Sequence, residues 1–425
     1  MMYRFKLFAL VLLLIGAAIF GGIQLTNSWA GKGVQQHSFK MSATPTPTSS
    51  QIVLNINRHQ VTPTTNPLAH PTVVPTMLPK PKTNQVQNVE NMPAVRNPLD
   101  WPFARDSIWN MPLGSNAMYV DATIGSRGFG TDIDWFIPTS SSDPLVPTYM
   151  PNGFGQGRCA GNTVQQQAQW HPEAGQPLHV PANLVIPDAI TSGGIYSTPN
   201  STSAFLEPDG KTLVNFNVTA RCQPGGPLYG TWFGQSDLYG DGIAGGHGGS
   251  ALSSIGGSIR TGELLNNEPI HHALKVDLWG NWLHYNATSD QGHRWPAPLA
   301  DGGAPQQYKG TNPALVMGSL LALPPNVTPE SLGVTSQIGK KVFQALQNYG
   351  AYVVDDTGGD YNALCVEQKA DVEFKNTTGH TISQDQALST DFNKMIAMIK
   401  VINNNAPTSI GGGGTPRVPL APPFA

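Results

Sequence analysis

Two places in this chain put an imidazole where it could move a proton. His247 lies in Gly245-Gly246-His247-Gly248-Gly249. Glycines carry no Cβ, so a ring among them is expected to be sterically open, and an open imidazole titrating near neutral pH suits general acid–base work. The plain alternative is a surface loop with an incidental His. His271 and His272 open the alternating run 270–278. Alternation sets His272 beside Ile270, Leu274, Val276 and Leu278, and His271 beside Ala273, Lys275 and Asp277. His272 is the second candidate for proton transfer if that apolar face lines a cleft, and a satisfied core His if it does not. His271 is a candidate substrate contact.

Carboxylates come next. The stretch 352–360 runs from a strand into Asp355-Asp356-Thr357-Gly358-Gly359-Asp360, and Tyr352 or Asp356 is the expected partner acid. Convergence of Asp355, Asp356 and Asp360 on one ion would make a calcium site; no other metal or cofactor is expected. Acidic turn chemistry is the simpler reading of the same residues. Arg260, three residues before Glu263, and the aromatics Trp282 and Tyr285 are candidate substrate contacts, since aromatic faces stack on sugar rings as well as filling cores. There is no Gly-x-Ser-x-Gly elbow, no His-Glu-x-x-His helix and no P-loop, which removes the commonest esterase, metalloprotease and P-loop nucleotide-binding readings.

Positioning such groups is a task for strands here. Charged residues make up 12% of the chain, against about 25% in typical soluble proteins, while Gly (46) and Pro (37) are plentiful and the formal net charge is −3. Without clustered Lys/Arg, nucleic acid is excluded as a partner. A polar surface built from Asn, Gln, Ser and Thr is compatible with a glycan partner. The segment 204–216 reads as a hairpin around Pro208-Asp209-Gly210, and 272–279 turns at Gly280-Asn281 into a second hairpin over 282–285. Further strands are expected at 178–186 and 351–354. Helices are expected after a Thr335 or Ser336 cap as far as Gly350, and over 388–402. The expected fold is mainly β: an antiparallel, jelly-roll-like β-sandwich with a few peripheral helices. An α/β sheet around the helix-then-strand unit 335–354 is the second choice.

Organisation along the chain follows composition. Residues 1–30 combine Arg4 and Lys6 with an apolar run at 7–23, which fits either a signal peptide or a short membrane anchor. Residues 31–97 read as a disordered Pro/Thr-rich stalk, 98–405 as the β-sandwich domain, and 406–425 as a flexible tail. The protein is therefore expected outside the cell or at its surface, meeting membrane only through its first segment. In that setting Cys159 and Cys222, both in Gly/Pro-rich loops, are the expected disulfide.

At FARDSIWNMPL, AFLEPDGKTLVNF, GGHGGSAL, GELLNNEPIHHALKV, RWPA and ALQNYGAYVVDD, across roughly residues 97–370, the chain resembles a group of secreted bacterial proteins of undefined function. Its hairpin pattern is loosely similar to jelly-roll polysaccharide lyases, although the Arg-rich and Gln-Ile-His strand motifs of the alginate-lyase families are absent. The resemblance implies a secreted β protein and brings no catalytic residues. The expected function is action on a polysaccharide or cell-wall glycan, as a lyase or a glycoside hydrolase. The alternative is a non-catalytic surface module that binds glycan or a partner protein.

Overall fold

A computed structural model describes residues 92–160, 175–189 and 200–425. The expected signal or anchor and most of the expected stalk lie outside the described residues. Among those described, no helix is long and apolar enough to cross a membrane.

The strands in chain order are β1 (Tyr119–Asp121), β2 (Gly128–Pro138), β3 (Leu145–Val146), β4 (Thr148–Tyr149), β5 (Leu178–His179), β6 (Ser203–Leu206) and β7 (Thr212–Ala220). There follow β8 (Leu228–Asp237), β9 (Ala244–His247), β10 (Leu274–Trp279), β11 (Leu320–Ala322), β12 (Ala351–Thr357), β13 (Tyr361–Glu367) and β14 (Lys400–Ile402). The α-helices are α1 (Ala304–Gln307), α2 (Pro329–Leu332), α3 (Gln337–Asn348), α4 (Gln368–Thr378) and α5 (Gln386–Ile396). Eleven strands form one sheet in the order β1-β14-β11-β12-β10-β13-β2-β6-β7-β8-β4, while β3 and β5 pair separately.

The protein is mainly β, but the large sheet is mixed, which corrects the antiparallel jelly-roll expectation. β10 runs parallel to β12 and antiparallel to β13, and β2 runs parallel to both β13 and β6. Parallel neighbours need long crossovers, and the β10-to-β12 connection carries α1, β11, α2 and α3. The hairpin at 204–216 is present, with Leu206 opposite Leu213. A hairpin at 272–285 is not. Trp282 N and Leu283 N bond back to Trp279 O and Gly280 O in successive turns, and β10 pairs with β12 and β13 instead.

α3 starts where Ser336 accepts a bond from Gly339 N, and buries Val342, Phe343 and Leu346. α5 stops at Ile396, short of the expected 402. The β-branched pair Val401 and Ile402 continues instead as β14, hydrogen-bonded between β1 and β11. Cys159 and Cys222 are joined in a disulfide that closes a 63-residue separation, and Cys365 is a buried free thiol. Residues 406–425 are not a loose tail. Gly411, Gly412 and Ala421 are buried, Arg96 N bonds Pro423 O at 2.9 Å, and the Arg96 guanidinium sits 3.8 Å over the Phe424 ring.

β10 lies inside the sheet with Leu274 through Leu278 all buried. Leu274, Val276 and Leu278 join Leu364 and Val366 of β13 in the main apolar core. On the opposite face Lys275 and Asp277 are buried as well. The glycine segment covers them: Lys275 Nζ donates to Ser253 O and Ser254 O, and Gly257 is pressed between Lys275 and Trp109. A strand with both faces buried and charge on one of them must satisfy that charge internally.

Candidate active site

Adjacent strands converge on that polar face. β2 contributes Asp132 and Asp134, β10 contributes Lys275 and Asp277, and β13 contributes Cys365, paired in register with Asp132. β12 contributes Asp355 through a bulge. Val276 faces Val353 but Asp277 faces Asp355, so the extra residue Val354 brings Asp355 onto the side that strict alternation would give to Asp356. β9 ends in His247, and the loop before α1 adds Asp301.

Lys275 Nζ lies 2.9 Å from Asp134 Oδ2, which also accepts from Ser258 Oγ at 2.7 Å. His247 Nε2 lies 3.2 Å from Asp134 Oδ1 and 3.5 Å from Asp132 Oδ2. Cys365 Sγ donates to Asp277 Oδ1 at 3.5 Å. Asp355 accepts from Gly249 N, Asp356 N and Asn200 Nδ2, each at 2.9 Å. Tyr308 Oη donates to Asp301 Oδ2 at 2.5 Å, and the carboxylates of Asp301, Asp355 and Asp356 stand within 4.8 Å of one another. Six carboxylates thus crowd together, and the basic groups among them are Lys275 and His247.

Crowding splits their protonation. Burial, then the charges of Asp132 and Asp134, pushes Asp277 well above the usual carboxylate range. Burial, then Asp301 and Asp277, does the same to Asp355. Asp132 and Asp301 are raised mainly by burial. Asp356 is pushed up to about 7 by burial and by Asp301. Asp134 goes the other way: burial acts to raise it, but Lys275, His247 and the Ser258 bond outweigh that and hold it below its ordinary value. Carboxylates with diverging proton affinities side by side are what acid–base chemistry uses.

The cluster meets solvent at half-buried Asp301 and Asp356, and marginally at Asp132, whose side chain is mostly buried. Next to it along β10 and β13 come Trp279 and Tyr361, both half-buried. Trp282 packs edge-on to Trp279 at 5.8 Å, and the Arg127 guanidinium lies 5.2 Å and 5.0 Å from the two rings while bonding Asp360 at 2.7 Å. The Tyr361 phenol is raised by burial and by the charges of Asp277, Asp132, Asp355 and Asp356.

Of the residues singled out from the sequence, His247 and Asp356 belong to this cluster and Trp282 to its rim. Tyr285 lies behind, flanking Gly292 together with Tyr308. His247 is not open, as its glycines suggested, but fully buried. The glycines serve close approach instead: a Cβ on Gly248 would stand 2.1 Å from Asp355 Oδ2, and one on Gly249 would stand 2.3 Å from Asp301 Oδ2. Tyr352 is buried against the edge of Trp109 at 5.3 Å, and burial raises its phenol. Asp360 is drawn off by Arg127, so Asp301 and not Asp360 joins Asp355 and Asp356.

His272 lies outside the group. It precedes β10, and its Nε2 bonds Glu263 Oε1 at 3.0 Å while its Nδ1 lies 2.9 Å from Ala273 O. Arg260 is buried between Glu367, at 3.5 Å, and the Phe136 ring, at 5.1 Å, and His271 stacks on Trp101 at 5.3 Å. These are framework contacts. Glu263 raises the His272 pKa above 6.5 against the opposing effect of burial, and His272 lowers that of Glu263 below 4.5, again against burial. The His contribution to stability is complete below about 6.5 and is lost as pH rises through the raised value. The Glu contribution is present above about 4.5 and is lost as pH falls through the lowered one. His272→Gln should therefore cost about 1–3 kcal/mol, most between pH 4.5 and 6.5. The gap from wild type, measured by urea denaturation across pH 4–9, should shrink at both ends.

Asp132, Asp134, Lys275, Asp277 and Asp301 do not stand out as site residues in the sequence. A signal was present in Thr131-Asp132-Ile133-Asp134-Trp135 and Lys275-Val276-Asp277: charge at every second position of a strand, normally taken as a solvent face. No family model, no curated protein and no solved structure matches this chain, so the chemistry rests on the geometry alone.

Proposed function

We propose that the protein is an extracellular hydrolase of a polysaccharide, working at the carboxylate cluster between β2, β10 and β12. The observation that carries this is a buried group of carboxylates reaching solvent through Asp132, Asp301 and Asp356, beside a rim of Trp279, Trp282 and Tyr361. Half-buried indole faces beside acids suit a sugar ring, and two carboxyl functions with different protonation suit glycosidic cleavage. Asp356 gives its proton to the glycosidic oxygen as the C–O bond breaks. Water adds to the anomeric carbon and hands its own proton to the β2 carboxylates.

Hydrolysis is favoured over β-elimination, the chemistry of the lyases, because elimination needs a base strong enough to take a carbon-bound proton. The phenols of Tyr308, Tyr352 and Tyr361 all have raised pKa values and stay neutral, and His272 is tied to Glu263. Export by the segment at 7–23 and a glycan-rich setting complete the proposal.

The test is the purified protein against a panel of neutral and acidic polysaccharides, followed by reducing ends and by ultraviolet absorbance of unsaturated products. Reducing ends without unsaturated products are expected on at least one substrate. Unsaturated products would replace hydrolysis with elimination, and binding without turnover would leave a glycan-binding module.

A further inference from the structure

One side chain inside the cluster is completely enclosed and yet lacks a hydrogen bond. His247 is 0% exposed, and among the described residues neither of its ring nitrogens has a partner of acceptable geometry. Asp134 Oδ1, 3.2 Å from His247 Nε2, is buried and unpartnered in the same way. An imidazole and a carboxylate oxygen left unmet in the interior are costly unless something lies between them. The Cys365 thiol is the third group at the same place. Ligand atoms of Asp134, His247 and Cys365 all lie within 4.8 Å of one another, and all three residues are buried.

These separations suit an ion. Zinc takes imidazole nitrogen and carboxylate oxygen at about 2.0–2.1 Å and thiolate at about 2.3 Å. In a tetrahedral site nitrogen and oxygen then stand roughly 3.3–3.4 Å apart, and sulfur roughly 3.5–3.6 Å from either. The 3.2 Å between His247 Nε2 and Asp134 Oδ1 is close to the first separation, and the sulfur is near enough to reach the second. We infer that the His247 imidazole, Asp134 Oδ1 and Cys365 Sγ hold one zinc-type divalent cation. Lys275 and Ser258 grip the other Asp134 oxygen, Oδ2, at 2.9 Å and 2.7 Å, as outer partners of a ligating carboxylate do. The thiol proton, which otherwise goes to Asp277 Oδ1 at 3.5 Å, is released to solvent when the sulfur binds the ion as a thiolate.

Two neighbouring groupings fit less well. One joins His247 to Asp132 and Asp355, the other joins Asp301 to Asp355 and Asp356. In both, Asp355 already accepts from Gly249 N, Asp356 N and Asn200 Nδ2, and in the second Tyr308 also occupies Asp301. Neither offers sulfur. A thiolate beside an imidazole selects zinc over calcium and magnesium, which take oxygen ligands. Position gives the ion its task. Asp134 lies in β2, Cys365 in the adjacent β13, and His247 ends β9 within the glycine segment, so the ion fastens that segment to the sheet beneath it. Asp132 is then the β2 carboxylate left to take the proton from water in the hydrolysis proposed above, on which the ion site does not depend.

The test produces the full-length protein with Zn²⁺, or with Co²⁺ in its place, dialyses it against dilute chelator, and measures bound metal and absorbance. About one equivalent of either metal is expected to stay bound. The cobalt form should show the ultraviolet thiolate-to-metal charge-transfer band that sulfur ligation gives. With Cys159 and Cys222 joined, Cys365 is the thiol that can supply it. Cys365→Ala should abolish the band and weaken retention, read by chelator competition, about 100-fold or more, beyond what losing an outer partner costs. Asp132→Asn should change neither, because Asp132 belongs to the competing grouping. No retained metal, a cobalt form without the band, undiminished retention in Cys365→Ala, or lost retention in Asp132→Asn would overturn the site. If Cys365→Ala does not fold, the cobalt spectrum of the unaltered protein decides. Reducing-end release on the same samples separates the two proposals. Bound ion without sugar release supports the site and sinks hydrolysis, and release without ion retention does the reverse.

Discussion

Asp356→Asn is expected to lower polysaccharide turnover by about 10²–10⁴-fold, the usual worth of a positioned proton donor, while leaving the folded state intact. Asn keeps the shape of the side chain and removes only the proton it can give. Asp356 is half-buried and makes no side-chain bond that holds the framework, so loss of kcat with little change in thermal midpoint is the expected pattern. The pH profile carries the sharper check. With its pKa at about 7, Asp356 is protonated below that value and loses its proton above it. Turnover should therefore fall on the alkaline side with a midpoint near neutrality. Asp301 helps to set that midpoint by repelling the ionised form of Asp356. Asp301→Asn removes the repulsion, so Asp356 ionises more easily and the alkaline limb should move to lower pH. A limb that stays put in Asp301→Asn, or survives in Asp356→Asn, would assign the proton donor elsewhere.

What could be read from the sequence and what could not divide along physical lines. The hairpin around Pro208-Asp209-Gly210 and the cap at Ser336 are set by residues a few positions apart, so their signals are local. Pairing of β2 with β13 and β6 joins segments far apart in sequence, and nothing in the Asp132–Asp134 stretch says which neighbour it takes. The same distance hid the site. Charge at alternate positions looks like a wet face, and it became an interior one only because the glycine segment 239–258 folds over β10. The bulge at Val354 then brought Asp355 onto that face while Asp356 stays within reach of it at the edge, a one-residue shift that alternation cannot anticipate. His247 was noticed for its glycines, but they act in the opposite sense from the one expected: they bring carboxylates to the backbone rather than exposing the ring.

That inversion leads to the largest expected change in stability. Gly248 has φ +44°, and a Cβ there would fall 2.1 Å from Asp355 Oδ2 and 2.5 Å from Asp355 Cβ. The carboxylate cannot retreat, since Gly249 N, Asp356 N and Asn200 Nδ2 hold it and the residue is buried. Gly248→Ala therefore meets both a left-handed backbone, worth about 1–2 kcal/mol, and overpacking of about 1–3 kcal/mol. A total loss of about 2–5 kcal/mol is expected in urea denaturation. Gly262→Ala separates the two causes. Its φ is +84°, but a Cβ there meets nothing within 4 Å, so it should cost only the backbone part. Equal losses in the two variants would mean that Asp355 yields, and that the close approach of the glycine segment does not fix the carboxylates beneath it.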